Sequence, residues 1–165
     1  MKYIEKNGCR VSEITLGTVQ LGMSYGINNF TGKPSYQKSC EILNEARKIG
    51  INTYDTSNDY GDSEEVLGKY FSSHKNEAVF ITKTGPHSTA AEAIKKEILE
   101  SVRLSLERLK TDSLPFLLLH HEKFLTSVYK KPVTEAMKVL KSEGKVKNIG
   151  VSFSNKERIN DLLDT

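Results

Sequence analysis

Thr53-Tyr54-Asp55-Thr56-Ser57-Asn58-Asp59-Tyr60-Gly61 is the stretch whose reading decides the fold. Ile51–Asp55 reads as a short strand and Thr56–Gly61 as the loop leaving it. Residues two apart on a strand share a face, so Thr53 and Asp55 point one way and Tyr54 the other. The same division recurs twice further on. In Val79–Lys83, Ile81 and Lys83 share a face and Phe80 opposes them. Around Leu114–Leu119, Leu118 and His120 lie opposite Leu117 and Leu119. Three successive strands thus end in an ionisable residue on one face and carry large apolar side chains on the other.

Working outward, strands alternate with helices along the chain. Lys2–Ile4 and Cys9–Val11 flank Asn7-Gly8 and predict a small hairpin. Ile14–Gly17 is a short apolar strand, followed by a Gly-rich loop from Leu21 to Pro34. Ser35 then caps a helix whose stripe carries Cys40, Ile42, Leu43, Ala46 and Ile49, closed by Gly50. A short helix runs from about Ser63 to Phe71. A long one runs from about Ala90 to Leu109, with Ile94, Ile98, Val102, Leu106 and Leu109 at helical spacing. Val133, Ala136, Met137 and Leu140 mark a further helix that stops at Gly144. Val146–Val151 is the fifth strand of the alternation, and Asn155 is placed to cap one more helix.

Strand–helix alternation means a parallel sheet covered by helices. The strands recur about every 33 residues, the size of one unit of an eight-unit barrel. Five units also make a normal open, doubly wound sheet. Periodicity leaves both open, and the strand ends decide. A doubly wound sheet has helices on both faces and would bury Asp55, Lys83 and His120 badly. A barrel gathers the ends of its strands at one mouth. The expected fold is α/β: an incomplete (β/α)8 TIM barrel of about five βα units preceded by a short β-hairpin.

Composition narrows the function classes. The 165 residues hold 24 Lys plus Arg against 21 Asp plus Glu, a net charge of +3. That gives no basic footprint for nucleic acid. No apolar run approaches the roughly 18 residues that span a bilayer. Cys9 and Cys40 are too few for a disulfide scaffold, so a reducing, cytoplasmic setting is expected. The four histidines, His74, His87, His120 and His121, show no ligand spacing, so no metal is expected. The lysines of segment 123–147, interleaved with Glu122, Glu135 and Glu143, read as a solvated face.

Taken singly, the strand-end residues have plain structural readings. Asp55 could stabilise a turn, Lys83 could reach solvent along its own stem, and His120 could be satisfied by a backbone carbonyl. Tyr60 could be an exposed loop aromatic. Together they form a chemical set. A free phenol, with a pKa near 10, is a poor acid at neutral pH, and a nearby cation stabilises the phenolate. Lys83 can supply the cation and Asp55 can hold Lys83 charged. His120 can orient a carbonyl oxygen toward the Tyr60 hydroxyl. Such a set suits proton delivery to a carbonyl.

At these residues the sequence resembles the aldo/keto reductase family. Tyr54-Asp55-Thr56-Ser57-Asn58-Asp59-Tyr60-Gly61, with Ser63-Glu64-Glu65 and Leu67-Gly68, resembles the family's second strand, loop and helix start. Ile81-Thr82-Lys83 resembles its lysine strand. Ser105-Leu106-Glu107-Arg108-Leu109, Thr111-Asp112 and the run to His120 resemble its third helix and histidine strand. Glu143-Gly144-Lys145-Val146 and Ile149-Gly150-Val151-Ser152 resemble its fifth-strand segment. The opening Leu16-Gly17-Thr18-Val19-Gln20-Leu21-Gly22, with Tyr25-Gly26 and Gly32-Lys33-Pro34-Ser35, is similar to bacterial members linked to sugar or surface-polysaccharide metabolism.

The resemblance implies reduction of an aldehyde or ketone with a nicotinamide cofactor, NADPH first and NADH as the alternative. It implies Tyr60 as proton donor, with Asp55, Lys83 and His120 as its partners. Gly17, Thr18, Asp55 and Ser152 are implied as cofactor contacts. Phe153 departs from the Asn that the family often has after that serine. The implied substrate is a small carbonyl compound, a sugar derivative among the candidates. In the family the cofactor's phosphates and adenosine bind mainly through later units than those present. The chain is therefore expected to be part of a longer reductase and inactive by itself. Two rivals are a non-catalytic binding or regulatory protein that keeps the reductase fold, and a half-barrel that associates with itself or with a separate second half.

Overall fold

The computed structural model describes residues 1–74 and 78–153. It opens with β1 (Tyr3–Lys6) and β2 (Cys9–Ser12), paired antiparallel. Their turn places Asn7 at φ 48° and Gly8 at φ 75°, the left-handed pair that Asn-Gly adopts at least cost. β3 (Thr15–Gly17) leads into a four-residue helix, α1 (Val19–Gly22). Then come α2 (Tyr36–Lys48), β4 (Thr53–Asp55), α3 (Ser63–Phe71) and β5 (Val79–Thr84). α4 (Ala91–Leu109), β6 (Leu114–Leu119), a 3-10 turn at Glu122–Leu125, α5 (Ser127–Ser142) and β7 (Val146–Val151) complete the described order.

β3, β4, β5, β6 and β7 form one parallel sheet in sequence order. Crossovers between parallel strands are right-handed, so an order that never reverses puts every helix on the same face. A doubly wound sheet would reverse at a switch point, and none occurs among the described strands. The fold is therefore part of a (β/α)8 barrel, as the strand ends require. Tyr54, Leu117 and Leu119 are buried on the helix-facing side with Leu43, Leu67, Ile94, Ile98 and Val133. Ile81 and Leu118, on the opposite side, are only half-buried.

The sequence expectations fail locally at three points. The loop drawn from Leu21 to Pro34 begins inside α1, which is too short to show a periodicity. Ile49 is 60% exposed because α2 stops at Lys48 and the stripe runs one residue too far. Leu106 is only partly buried on α4. Ser35 does cap α2, its side chain accepting from the Lys38 N–H at 3.2 Å. Pro115 sits at the second position of β6, where pairing with β5 has yet to begin; the register starts at Phe116. The helix expected from Asn155 lies outside the described residues.

The hairpin closes the end of the sheet opposite the site. Ser12 N–H donates to Asn52 Oδ1 at 2.8 Å, and the Tyr3 hydroxyl donates to Gly50 O at 2.8 Å. Among the described residues no helix is long and apolar enough to cross a membrane.

Candidate active site

Hydrogen bonding fixes the residues at the C-terminal rim of the sheet. The ladder continues one residue past the strands: His120 N–H donates to Thr84 O at 2.9 Å, and Ser152 N–H to Leu119 O at 2.8 Å. The loop after β4 is fastened to both neighbouring strands. Thr56 N–H donates to Ile81 O at 2.8 Å, Asn58 N–H to Lys83 O at 3.3 Å, and Thr18 N–H to Asp55 O at 2.9 Å. Within the loop, Tyr60 N–H donates to Ser57 O at 3.1 Å and Ser63 N–H to Tyr60 O at 3.1 Å. Asn58 Nδ2 also donates to Ser101 Oγ on α4 at 2.8 Å, which Thr84 reaches at 2.9 Å. Gly22 of α1 lies directly against this loop. A Cβ there would stand 1.8 Å from Tyr60 O and 2.5 Å from Ser63 N, so no other residue fits without moving the backbone that carries Tyr60.

The four expected catalytic residues come together. Lys83 Nζ donates to Asp55 Oδ1 at 2.5 Å and to Thr56 O at 2.9 Å. Its side chain is 7% exposed against 32% for Asp55. The lysine is therefore not the solvent-reaching residue of the plain reading; a buried ammonium is held by one carboxylate and one carbonyl. The ammonium lies 5.0 Å from the Tyr60 ring centroid. The Tyr60 ring meets His120 edge-on, with centroids 5.7 Å apart and planes at 77°. Among the described residues the Tyr60 hydroxyl has no hydrogen-bond partner, so it is free to donate outward.

His120 is not satisfied by a backbone carbonyl. Its Nδ1 faces Asp59 Oδ2 at 3.1 Å and Ser57 Oγ at 3.3 Å. Burial lowers its pKa below the ordinary histidine value, and the Asp59 carboxylate partly offsets that. His121 stacks parallel to it, centroids 4.9 Å apart, and is exposed. Asp59 and Ser57 lie inside the stretch that decides the fold, but their contacts with His120 are not legible from it. A loop has no period from which to infer direction. The same holds for the Asn58–Ser101 anchor.

The expected cofactor contacts divide into two groups. Gly17 ends β3 with no atom within 4 Å of where a Cβ would stand. Asp55 is one-third exposed and Ser152 half-buried at the same rim. Thr18 is fully buried, and its hydroxyl donates to Asp55 O at 2.8 Å, so its place is behind the rim. Among the described residues no group of three His, Cys, Asp or Glu is placed to hold a metal ion. A broad surface hollow lies elsewhere, between α4 and α5, walled by Leu99, Leu106 and Leu140 with lysines and glutamates around it; none of the site residues lines it.

Comparison with known proteins places this arrangement among relatives. Residues 13–165 match the model of the Aldo/keto reductase family. The chain is 30% identical over 150 residues to an uncharacterized oxidoreductase of Bacillus subtilis, YqkF, covering 86% of this chain and 45% of that protein. It is 32% identical over 148 residues to the D-arabinose 1-dehydrogenase of Saccharomyces cerevisiae, covering 86% of this chain and 43% of that protein. A solved structure of the Bacillus halodurans aldo-keto reductase AKR11C1, in its holo form, superposes with a TM-score of 0.77 at 26% identity, over 99% of this chain and 54% of that one. The chain thus spans less than half the length of the curated relatives it matches.

Proposed function

The chain belongs to the aldo/keto reductase family, and from that premise we propose that its protein reduces an aldehyde or ketone to the alcohol, with Tyr60 delivering the proton. One observation carries the reading. The unpartnered Tyr60 hydroxyl, on the loop after β4, stands beside a buried, carboxylate-held ammonium and an imidazole at adjoining strand ends.

Lys83 places positive charge next to the phenol, where it stabilises the phenolate left after proton transfer. Asp55 keeps Lys83 charged and fixes its direction. His120, when its Nε2 carries a hydrogen, orients the carbonyl oxygen toward Tyr60. A nicotinamide, when bound, supplies the hydride for the carbonyl carbon. Gly17, Asp55 and Ser152 would hold its ring over the rim, backed by Thr18. NADPH is the proposed form. A sugar-derived carbonyl compound is the proposed substrate class, supported by the relative named for D-arabinose. The same reading makes residues 1–165 the N-terminal portion of one barrel domain, in keeping with the half-buried inner face at Ile81 and Leu118. The isolated 165-residue chain is then expected to be inactive.

The test is NADPH oxidation by the full-length protein with a panel of aldehydes, ketones and aldoses. Turnover is expected, with a loss of about 10²- to 10⁴-fold in Tyr60→Phe, the range for removing a positioned general acid. Full-length protein inactive on every carbonyl with Tyr60 intact would favour a non-catalytic role. Robust turnover by the isolated chain that depends on Tyr60 would show that the site assembles by another route.

A further inference from the structure

His120 offers two ring nitrogens, and its surroundings assign different roles to them. Nδ1 lies 3.1 Å from Asp59 Oδ2. An ionised carboxylate can only accept, so Nδ1 must carry the hydrogen. While the imidazole is neutral, Nε2 is then a bare lone pair. A carbonyl oxygen is also an acceptor, so neutral His120 in this form has nothing to donate to it. Only the imidazolium carries a hydrogen on both nitrogens.

We propose that Asp59 is a positioning residue that holds the proton on Nδ1 of His120, making Nε2 an acceptor toward hydroxyl groups when the ring is neutral and a donor toward a carbonyl only when it is charged. The proposal deepens the reductase reading and rests on it. Its consequence is directional. The neutral ring favours an alcohol or the Tyr60 hydroxyl as hydrogen-bond partner, and the charged ring favours the carbonyl.

The groups facing the pair are few. Ser57 Oγ also lies near Nδ1, at 3.3 Å, and itself receives the Asp59 N–H at 3.2 Å, which ties the carboxylate's loop to the ring. Lys83 on β5 is a like charge that opposes protonation, as is His121 from the same segment. Asp55 is engaged with Lys83. His87 approaches the other oxygen of Asp59 at 3.9 Å and is itself highly exposed. Asp59 is the one carboxylate within hydrogen-bond distance of the ring among the described residues. Asp59→Asn alters the pair without altering its size: an amide can turn its NH₂ toward Nδ1 and let the proton move to Nε2.

The experiment is ¹⁵N NMR of histidine-labelled full-length protein across pH, with His120 assigned by His120→Gln. In the wild type above the midpoint, Nδ1 is expected in the protonated range and Nε2 in the unprotonated range. Asp59→Asn is expected to move population to the Nε2–H form and shift the midpoint to lower pH; Asp59→Glu is expected to restore the wild-type pattern. An Nε2–H tautomer in the wild type, or an unchanged tautomer and midpoint in Asp59→Asn, overturns the proposal. The wild-type measurement needs no variant to fold, and the readout needs no turnover. Full-length protein inactive on every carbonyl with Tyr60 intact would overturn the reductase reading and leave the tautomer result standing.

Discussion

Two carboxylate–base pairs stand within one site and are built differently. Asp55 and Lys83 sit at the ends of adjacent strands, β4 and β5, whose register is set by the ladder. Asp59 and His120 pair across the rim, with the acid on a loop and its side chain 40% exposed against 18% for the imidazole. The first pair is bound by the burial of its lysine: removing Asp55 strands an ammonium whose side chain is only 7% exposed. The second is bound by a hydrogen bond that solvent can partly replace. The pair that joins two strand ends is fixed, and the pair that reaches across from a loop is open to solvent.

Substitutions on the two sides should separate them, and the largest effect is expected at the fixed pair. Lys83→Met should lower kcat for carbonyl reduction by about 10²-fold or more, the scale of losing one preorganised electrostatic contact. A loss no greater than that of Asp59→Asn would erase the distinction drawn above. Asp55→Ala should cost about 2 kcal/mol in urea unfolding, below the ~3–5 of a fully enclosed pair because Asp55 is partly exposed. Gly22→Ala should destabilise by about 1–3 kcal/mol through crowding of the Tyr60 backbone, and should slow turnover as well. Ser101→Ala should cost about 1 kcal/mol, the worth of an ordinary hydrogen bond, by releasing Asn58 from α4.

The pH dependence of stability sharpens the same contrast. Folding holds the His120 pKa below its unfolded value, so in that window the unfolded chain binds more protons than the folded one. Stability contributed by His120 is therefore complete above about pH 6.5 and declines as pH falls below it. His120→Gln should flatten that decline in urea titrations between pH 7 and 5. Asp59→Asn should steepen it, because it removes the charge that partly supports the imidazolium.

What could be read in advance follows from where a repeating signal exists. Period-2 alternation placed Asp55, Lys83 and His120 on one face because strands leave a side chain only two directions. The helical stripe placed Ile94, Ile98 and Val102 in the core because a 3.6-residue period returns them to one face. α1 spans four residues, too few for a period to repeat. Asp59 lies in a loop whose direction is set by hydrogen bonds to Ile81, Lys83 and Ser101, residues distant in sequence. Glu64 is a second instance. Its carboxylate is buried on α3 and accepts from Thr82 Oγ1 at 2.6 Å, with Arg108 at 3.4 Å. Nothing in the local pattern distinguishes it from exposed Glu65 beside it.

The hairpin at the far end of the sheet has a consequence in time. Its own pairings join neighbours in the chain, and such hairpins form in roughly 1–10 μs. Its bonds to the sheet bridge 40 and 47 residues, and they wait until α2 and β4 have arrived. Tyr3 thus carries two clocks. Its ring meets the Arg10 guanidinium, 4.1 Å away within the hairpin, and its hydroxyl finds Gly50 only when the sheet has begun to assemble.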